Sequence, residues 1–90
     1  MSTTLFLPAI LAKLADGNAI SSDATTVGDV VAEVSARYPR LAERLRGADG
    51  QPYPFVTFYL NDEDIRFQGG FAATVRDGDE LTVVPAIAGG

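Results

Sequence analysis

The sequence ends Pro85-Ala86-Ile87-Ala88-Gly89-Gly90, and residue type and spacing point to chemistry there more plainly than anywhere else. Gly89 and Gly90 lack Cβ, so the backbone can thread a narrow channel and adopt φ angles closed to other residues. Extended at ~3.3–3.6 Å per residue, the segment after Pro85 reaches about 17 Å. That is deep enough to carry the Gly90 carboxylate into a closed active site from which water is excluded. A carboxylate is a poor acyl donor until one oxygen becomes a leaving group. Chemistry at this terminus would take the form of activation and transfer at the Gly90 carbonyl, performed by another protein. Gly90 and Gly89 are the reacting candidates, and Ala86, Ile87 and Ala88 are the segment a partner would grip. A terminal Gly-Gly arises by chance in about 0.5 % of chains at ~7 % glycine usage, so it carries weight only together with the rest of the chain.

The residue types that are missing narrow the alternatives. Cysteine is absent, which removes disulfides, thiolate nucleophiles and thiolate metal sites. Histidine is absent too, and with it the commonest general base and transition-metal ligand. Lys13 is the single lysine. A carrier or binding module fits better than an enzyme. Twelve acidic residues against seven basic ones give a net charge of −5, which repels a phosphate backbone and disfavours nucleic acid. The same acidity would quicken association with a basic partner. No run of about 18 apolar residues and no signal-peptide pattern is present, so no membrane and a cytoplasmic location are expected.

Ninety residues with 47 % apolar content make one domain with one modest core. Thr3 to Leu7 alternates with period two, Leu5 and Leu7 against Thr4 and Phe6, and reads as a strand ending at Pro8. Asp16-Gly17-Asn18 reads as a turn into a short strand, Ala19 to Ser22. Thr26 can cap a helix whose Val27, Val30, Val31, Val34 and Tyr38 share one face. Asp29, Glu33 and Arg37 take the wet face at i, i+4 spacing. Pro39 stops that helix, and Arg40 to Arg46 forms a second, returning Leu41 and Leu45 to the core. Gly47 to Gly50, with Pro52 and Pro54, reads as a loop. Phe55 to Leu60 is a strand, Asn61 to Asp64 a turn, and Ile65 to Phe67 a return strand broken by Gly69-Gly70. Asp77-Gly78-Asp79 turns the chain into a last strand, Glu80 to Pro85. One amphipathic helix against one mixed sheet is an α+β arrangement.

Three surface features carry weaker signals. If Leu5, Val56, Phe58, Leu60, Leu81 and Val83 face the helix, then Phe6, Thr57, Tyr59, Thr82 and Val84 face outward. If the first, third and last strands are also neighbours, Phe6, Tyr59 and Val84 would form an apolar patch of the kind that marks a partner interface. Asp62, Glu63 and Asp64 read as a solvated turn rather than a cation site, so no metal is expected. Arg37, Arg40, Arg44 and Arg46 read as surface charge that complements a helix C-terminus.

The element order resembles the β-grasp, or ubiquitin-like, fold, a curled mixed sheet on one main helix. VTFYLNDEDIRF from Val56 to Phe67, Gly69-Gly70, and DGDELTVVPAIAGG from Asp77 to Gly90 are similar to bacterial sulfur carriers of the MoaD and ThiS type. NDEDIRF points to their CysO branch, with weaker similarity from LPAIL at Leu7 onward. The resemblance implies a domain over 1–85, a flexible tail over 86–90 and no bound cofactor. It also implies a cycle in which a partner enzyme adenylates Gly90 with ATP and sulfur displaces AMP to leave a thiocarboxylate. In that branch the sulfur passes to an activated serine derivative on a PLP-dependent cysteine synthase, and a zinc-dependent protease regenerates the carrier. Alternatives are sulfur supply for molybdopterin or thiamin, a protein modifier conjugated through Gly90, or an interaction module with an inert tail.

Overall fold

The computed structural model describes residues 2–47 and 56–85. The chain runs β1 (Thr3–Phe6), α1 (Ala9–Ala12), β2 (Ala19–Ser22), α2 (Val27–Arg37), α3 (Pro39–Leu45), β3 (Val56–Leu60), β4 (Glu63–Asp64), two 3₁₀ turns (Ile65–Phe67 and Gly70–Ala72) and β5 (Glu80–Pro85). The five strands form one mixed sheet in the order β2-β1-β5-β3-β4. The first and last strands pair in parallel, Leu5 beside Leu81, and every other pairing is antiparallel. The helices lie on one face. Leu5, Phe58, Leu81 and Val83 from the sheet are buried with Val27, Val30, Val31 and Val34 of α2 and Leu41 and Leu45 of α3.

The local chemistry explains most of these elements. Thr26 caps α2 by accepting from the Asp29 backbone N–H at 3.1 Å. Glu33 and Arg37 pair along the wet face at 3.9 Å. Both reach back to β2, for Ser22 donates to Glu33 and Arg37 donates to the Ser21 carbonyl at 2.7 Å. Pro39 stands at the first position of α3, where its missing N–H costs nothing. The Gly47–Gly50 loop falls outside the described residues beyond Gly47, as does Phe55.

The structure departs from the sequence reading between Leu60 and Val75. The return strand is Glu63–Asp64, not Ile65 to Phe67, and the turn is two residues long. Asn61 and Asp62 both take positive φ, 50° and 70°, which is the mirror-image turn that matches the twist of a tight hairpin. Asp64 then accepts from the Arg66 backbone N–H at 2.9 Å and starts a 3₁₀ turn instead of a strand. A strand would put Ile65 and Phe67 on one face. Three residues per turn separates them, leaving Ile65 buried and Phe67 80 % exposed. The next 3₁₀ turn brings Phe71 edge-on to Phe58, ring centres 5.5 Å apart. Gly28 makes room for it, since a Cβ there would stand 3.1 Å from the Phe71 carbonyl oxygen. Backbone bonds from Val27 N to Ala73 O and Val75 N to Thr25 O then tie this segment to the start of α2. The one-turn α1, absent from the sequence reading, opens at Pro8 and buries Leu11.

Leu81 is fully buried where both sheet ladders meet the helices. Leu81→Ala should cost about 2–5 kcal/mol of unfolding free energy in urea titration. Removing the cap with Thr26→Ala should cost about 1 kcal/mol.

Candidate functional site

Residues 86–90, including Gly89 and Gly90, lie outside the described residues. What the structure defines is the base from which they leave. β5 pairs with β1 over Glu80–Thr82 and with β3 over Leu81–Pro85, so Pro85 is anchored opposite Val56 at the last rung of a ladder. Five residues beyond such an anchor can reach about 17 Å from a fixed point.

Phe6, Tyr59 and Val84 stand on the outward face of the same strands. Thr82 is flanked by Phe6 on β1 and Tyr59 on β3, and Val84 stands opposite Thr57. At a strand spacing of about 4.8 Å, Phe6 and Tyr59 lie some 10 Å apart across Thr82. Both are partly exposed, and Val84 is 41 % exposed. The core residues of the helices gather on the opposite face. Sequence reasoning missed Phe67 because the wrong strand assignment paired it with a core residue. It likewise missed Ile10, 64 % exposed on a helix too short to show periodicity.

The motifs that carried the family resemblance are largely structural. Asn61 and Asp79, from two different turns, meet: Asn61 Nδ2 donates to Asp79 at 3.0 Å and Asn61 Oδ1 accepts from the Glu80 backbone N–H at 2.9 Å. Asp79 also accepts from the Arg76 backbone N–H at 2.8 Å, and its own carbonyl accepts from Thr4 N. Asp64 is paired with Arg66, whose Nη2 lies 2.6 Å from it, so the acidic run does not converge on a cation. Among the described residues no group of three potential metal-ligating side chains comes together. The side-chain bond from Arg66, then its backbone N–H, hold the Asp64 carboxyl below the usual carboxylate range. The bond to Asp64 pushes the Arg66 guanidinium up in turn.

The fold is shared with known proteins. The model of the ThiS family matches residues 6–90. The chain belongs to the ThiS family. It is 40 % identical over 93 aligned residues to the sulfur carrier protein CysO of Mycobacterium tuberculosis H37Rv, covering all of both chains. It superposes with TM-score 0.88 and 37 % identity on a chain of the Amycolatopsis orientalis BexX/CysO complex, covering 98 % of this chain and 99 % of that one. The small archaeal modifier protein 3 of Haloferax volcanii is 40 % identical over 68 residues, 76 % of this chain and 73 % of that protein. The fold is therefore the β-grasp of these ubiquitin-like proteins, as the element order implied. No described helix is long and apolar enough to cross a membrane.

The turn chemistry sets an acid dependence. The Asn61 side chain, then the Arg76 backbone N–H, lower the pKa of Asp79 below its ordinary value. The native carboxyl is then the stronger acid, so its contribution is full above about pH 4 and fades as pH falls through the lower native value. Asp79→Asn should be less stable at neutral pH and lose stability less steeply below about pH 4 in chemical denaturation. Equal slopes in the two proteins would show that Asp79 contributes nothing to acid sensitivity.

Proposed function

We propose that this chain is a sulfur carrier whose Gly90 carboxylate is adenylated and converted to a thiocarboxylate, with cysteine biosynthesis as the destination of the sulfur. One observation carries the reading: similarity to a sulfur carrier protein over the whole chain, with the family match running through Gly89 and Gly90. In the proposed cycle a Gly90 oxygen attacks the α-phosphorus of ATP on the partner and pyrophosphate leaves. A hydrosulfide-level nucleophile then adds to the activated carbonyl, and AMP departs with the original oxygen. On a PLP-dependent cysteine synthase the thiocarboxylate sulfur would replace the leaving group of an activated serine derivative, giving a thioester between Gly90 and a new cysteine. Acyl transfer from that sulfur to the cysteine amine would give an amide, which a zinc-dependent protease would hydrolyse with water to release cysteine and restore the Gly90 carboxylate.

The carrier's own part is positional. The ladder to β3 holds β5 as far as Pro85, the base of the segment, and glycines at 89 and 90 add no side chain to its end. Ala86, Ile87 and Ala88 offer one sizeable side chain, so the segment alone gives a partner little to recognise. Phe6, Tyr59 and Val84 on the outward face would supply the rest. The likeness to a small archaeal modifier protein favours a second reading, conjugation of Gly90 to target proteins after the same adenylation. Intact mass of the protein from cells separates the two: one oxygen-to-sulfur exchange marks a carrier, and high-mass adducts mark a modifier.

Adding one residue after Gly90 should abolish adenylation by the partner enzyme and leave the thermal midpoint unchanged. Sulfur transfer from a protein blocked in this way would overturn the reading. Phe6→Ala or Tyr59→Ala should weaken binding to that enzyme by ~2–4 kcal/mol, roughly 30- to 1000-fold, at little cost in stability. Wild-type affinity in both variants would move the docking face elsewhere.

A further inference from the structure

A groove of about 490 Å³ opens beside the point where the chain leaves the sheet, with Val56 and Pro85 on its rim. Lys13, from the turn after α1, and Arg40 and Arg44, from α3, line it, and all three are exposed. Arg40 and Arg44 are one helical turn apart and so point the same way. Three of the chain's seven cationic side chains meet here, on a protein with twelve acidic ones, and among the described residues no carboxylate lines the groove. Its apolar wall is Ile10, Leu11 and Leu14, with Ile10 64 % exposed. The net charge of −5 suggests a basic partner, but the charge at the exit of the tail has the opposite sign.

We propose that this groove docks an acidic, apolar-anchored segment of the enzyme that receives the tail. The proposal rests on the adenylation reading for the identity of that enzyme. Any protein that swallows residues 86–90 must press its channel mouth against Pro85, and therefore against this rim. Carboxylates at the mouth would meet the three cations, and a leucine-sized side chain between them would cover Ile10 and Leu14. Both contacts fix the rotation of the carrier about its own tail, which a featureless segment cannot do. With the tail extended, the nucleotide that activates Gly90 sits about 17 Å beyond Pro85, so the groove's cations face protein carboxylates rather than the nucleotide's phosphates. The chain's own terminal carboxylate carries a single charge and would leave two cations unmatched.

The test has two arms. In the first, ¹⁵N-labelled carrier is titrated in low salt with a short peptide of alternating Glu and Leu, and with its Lys/Leu counterpart. The Glu/Leu peptide should shift the amide signals of Ile10, Lys13, Arg40 and Arg44, and the Lys/Leu peptide should not. The double variant Arg40→Glu, Arg44→Glu should fold normally by circular dichroism and show no such shifts. In the second arm, calorimetry with the adenylating enzyme should give an affinity roughly tenfold or more lower for each reversed charge, with the difference shrinking as salt rises. Wild-type affinity in the double variant overturns the proposal. So does a chain ending at Pro85 whose groove signals shift without peptide and whose peptide affinity rises, because the tail itself would then be the occupant. Adenylation is scored separately by intact mass. Unimpaired groove variants with Gly90 adenylated sink only the groove, and peptide binding without adenylation sinks only the reading of the tail.

Discussion

β5 is clamped in its first half on both edges, in parallel to β1 over Glu80–Thr82 and antiparallel to β3 from Leu81, and runs on along β3 alone to Pro85; the rest of the molecule depends on that clamp. An edge strand frays and can slip; a strand held on both sides has its register set twice. Leu81 and Val83 are thereby fixed toward the helices, and Thr82 and Val84 toward the outside. The sheet's most constrained element thus leads directly into residues 86–90.

The turns around the sheet serve the clamp. Asn61 and Asp79 bond each other's turns, so the hairpin after β3 and the entry to β5 cannot move independently. The Asp79 carbonyl and the Gly78 N–H continue the connection to Thr4 and Ser2 at the start of β1. Gly78 adopts φ of 88°, a left-handed value that a side chain would strain, which explains a glycine between two aspartates. Asp64 and Asp79 of these motifs are thus spent on backbone N–H groups, one amide and the Arg66 guanidinium. Asp79 stands at the Glu80 end of β5, and Lys13, Arg40 and Arg44 gather at the Pro85 end.

The helical side is less finely specified. Six valines and leucines of α2 and α3 are fully buried against the sheet, and Phe71 closes one end through Gly28 and Phe58. Close packing of that kind transmits the loss of one methyl group as a stability cost, but it leaves the outward sheet face untouched. The core packs on one side of these strands, and Phe6, Tyr59 and Val84 stand on the other. This is why a substitution at Phe6 and one at Leu81 should be separable.

Period-two and period-3.6 patterns were enough to place β1, β2, α2, α3, β3 and β5, because each buries one face and the pattern records that face directly. The Thr26 cap and the Pro39 break were legible for the same local reason: side-chain oxygens and a missing N–H act on neighbouring backbone. The segment from Glu63 to Val75 was not, since Asp64 chooses a 3₁₀ turn through a bond to Arg66 that no periodicity encodes. Phe71 finds Phe58 only once α2 lies across the sheet. The strand order, too, follows from long-range pairing: composition shows strands, while closure of β1 on β5 across the whole chain length makes the last strand central. The gathering of Lys13, Arg40 and Arg44 at the tail exit is of that kind. In sequence Lys13 stands alone and the arginines read as solvated surface. Only the folding of α1 and α3 to one end of β5 brings them to a single groove.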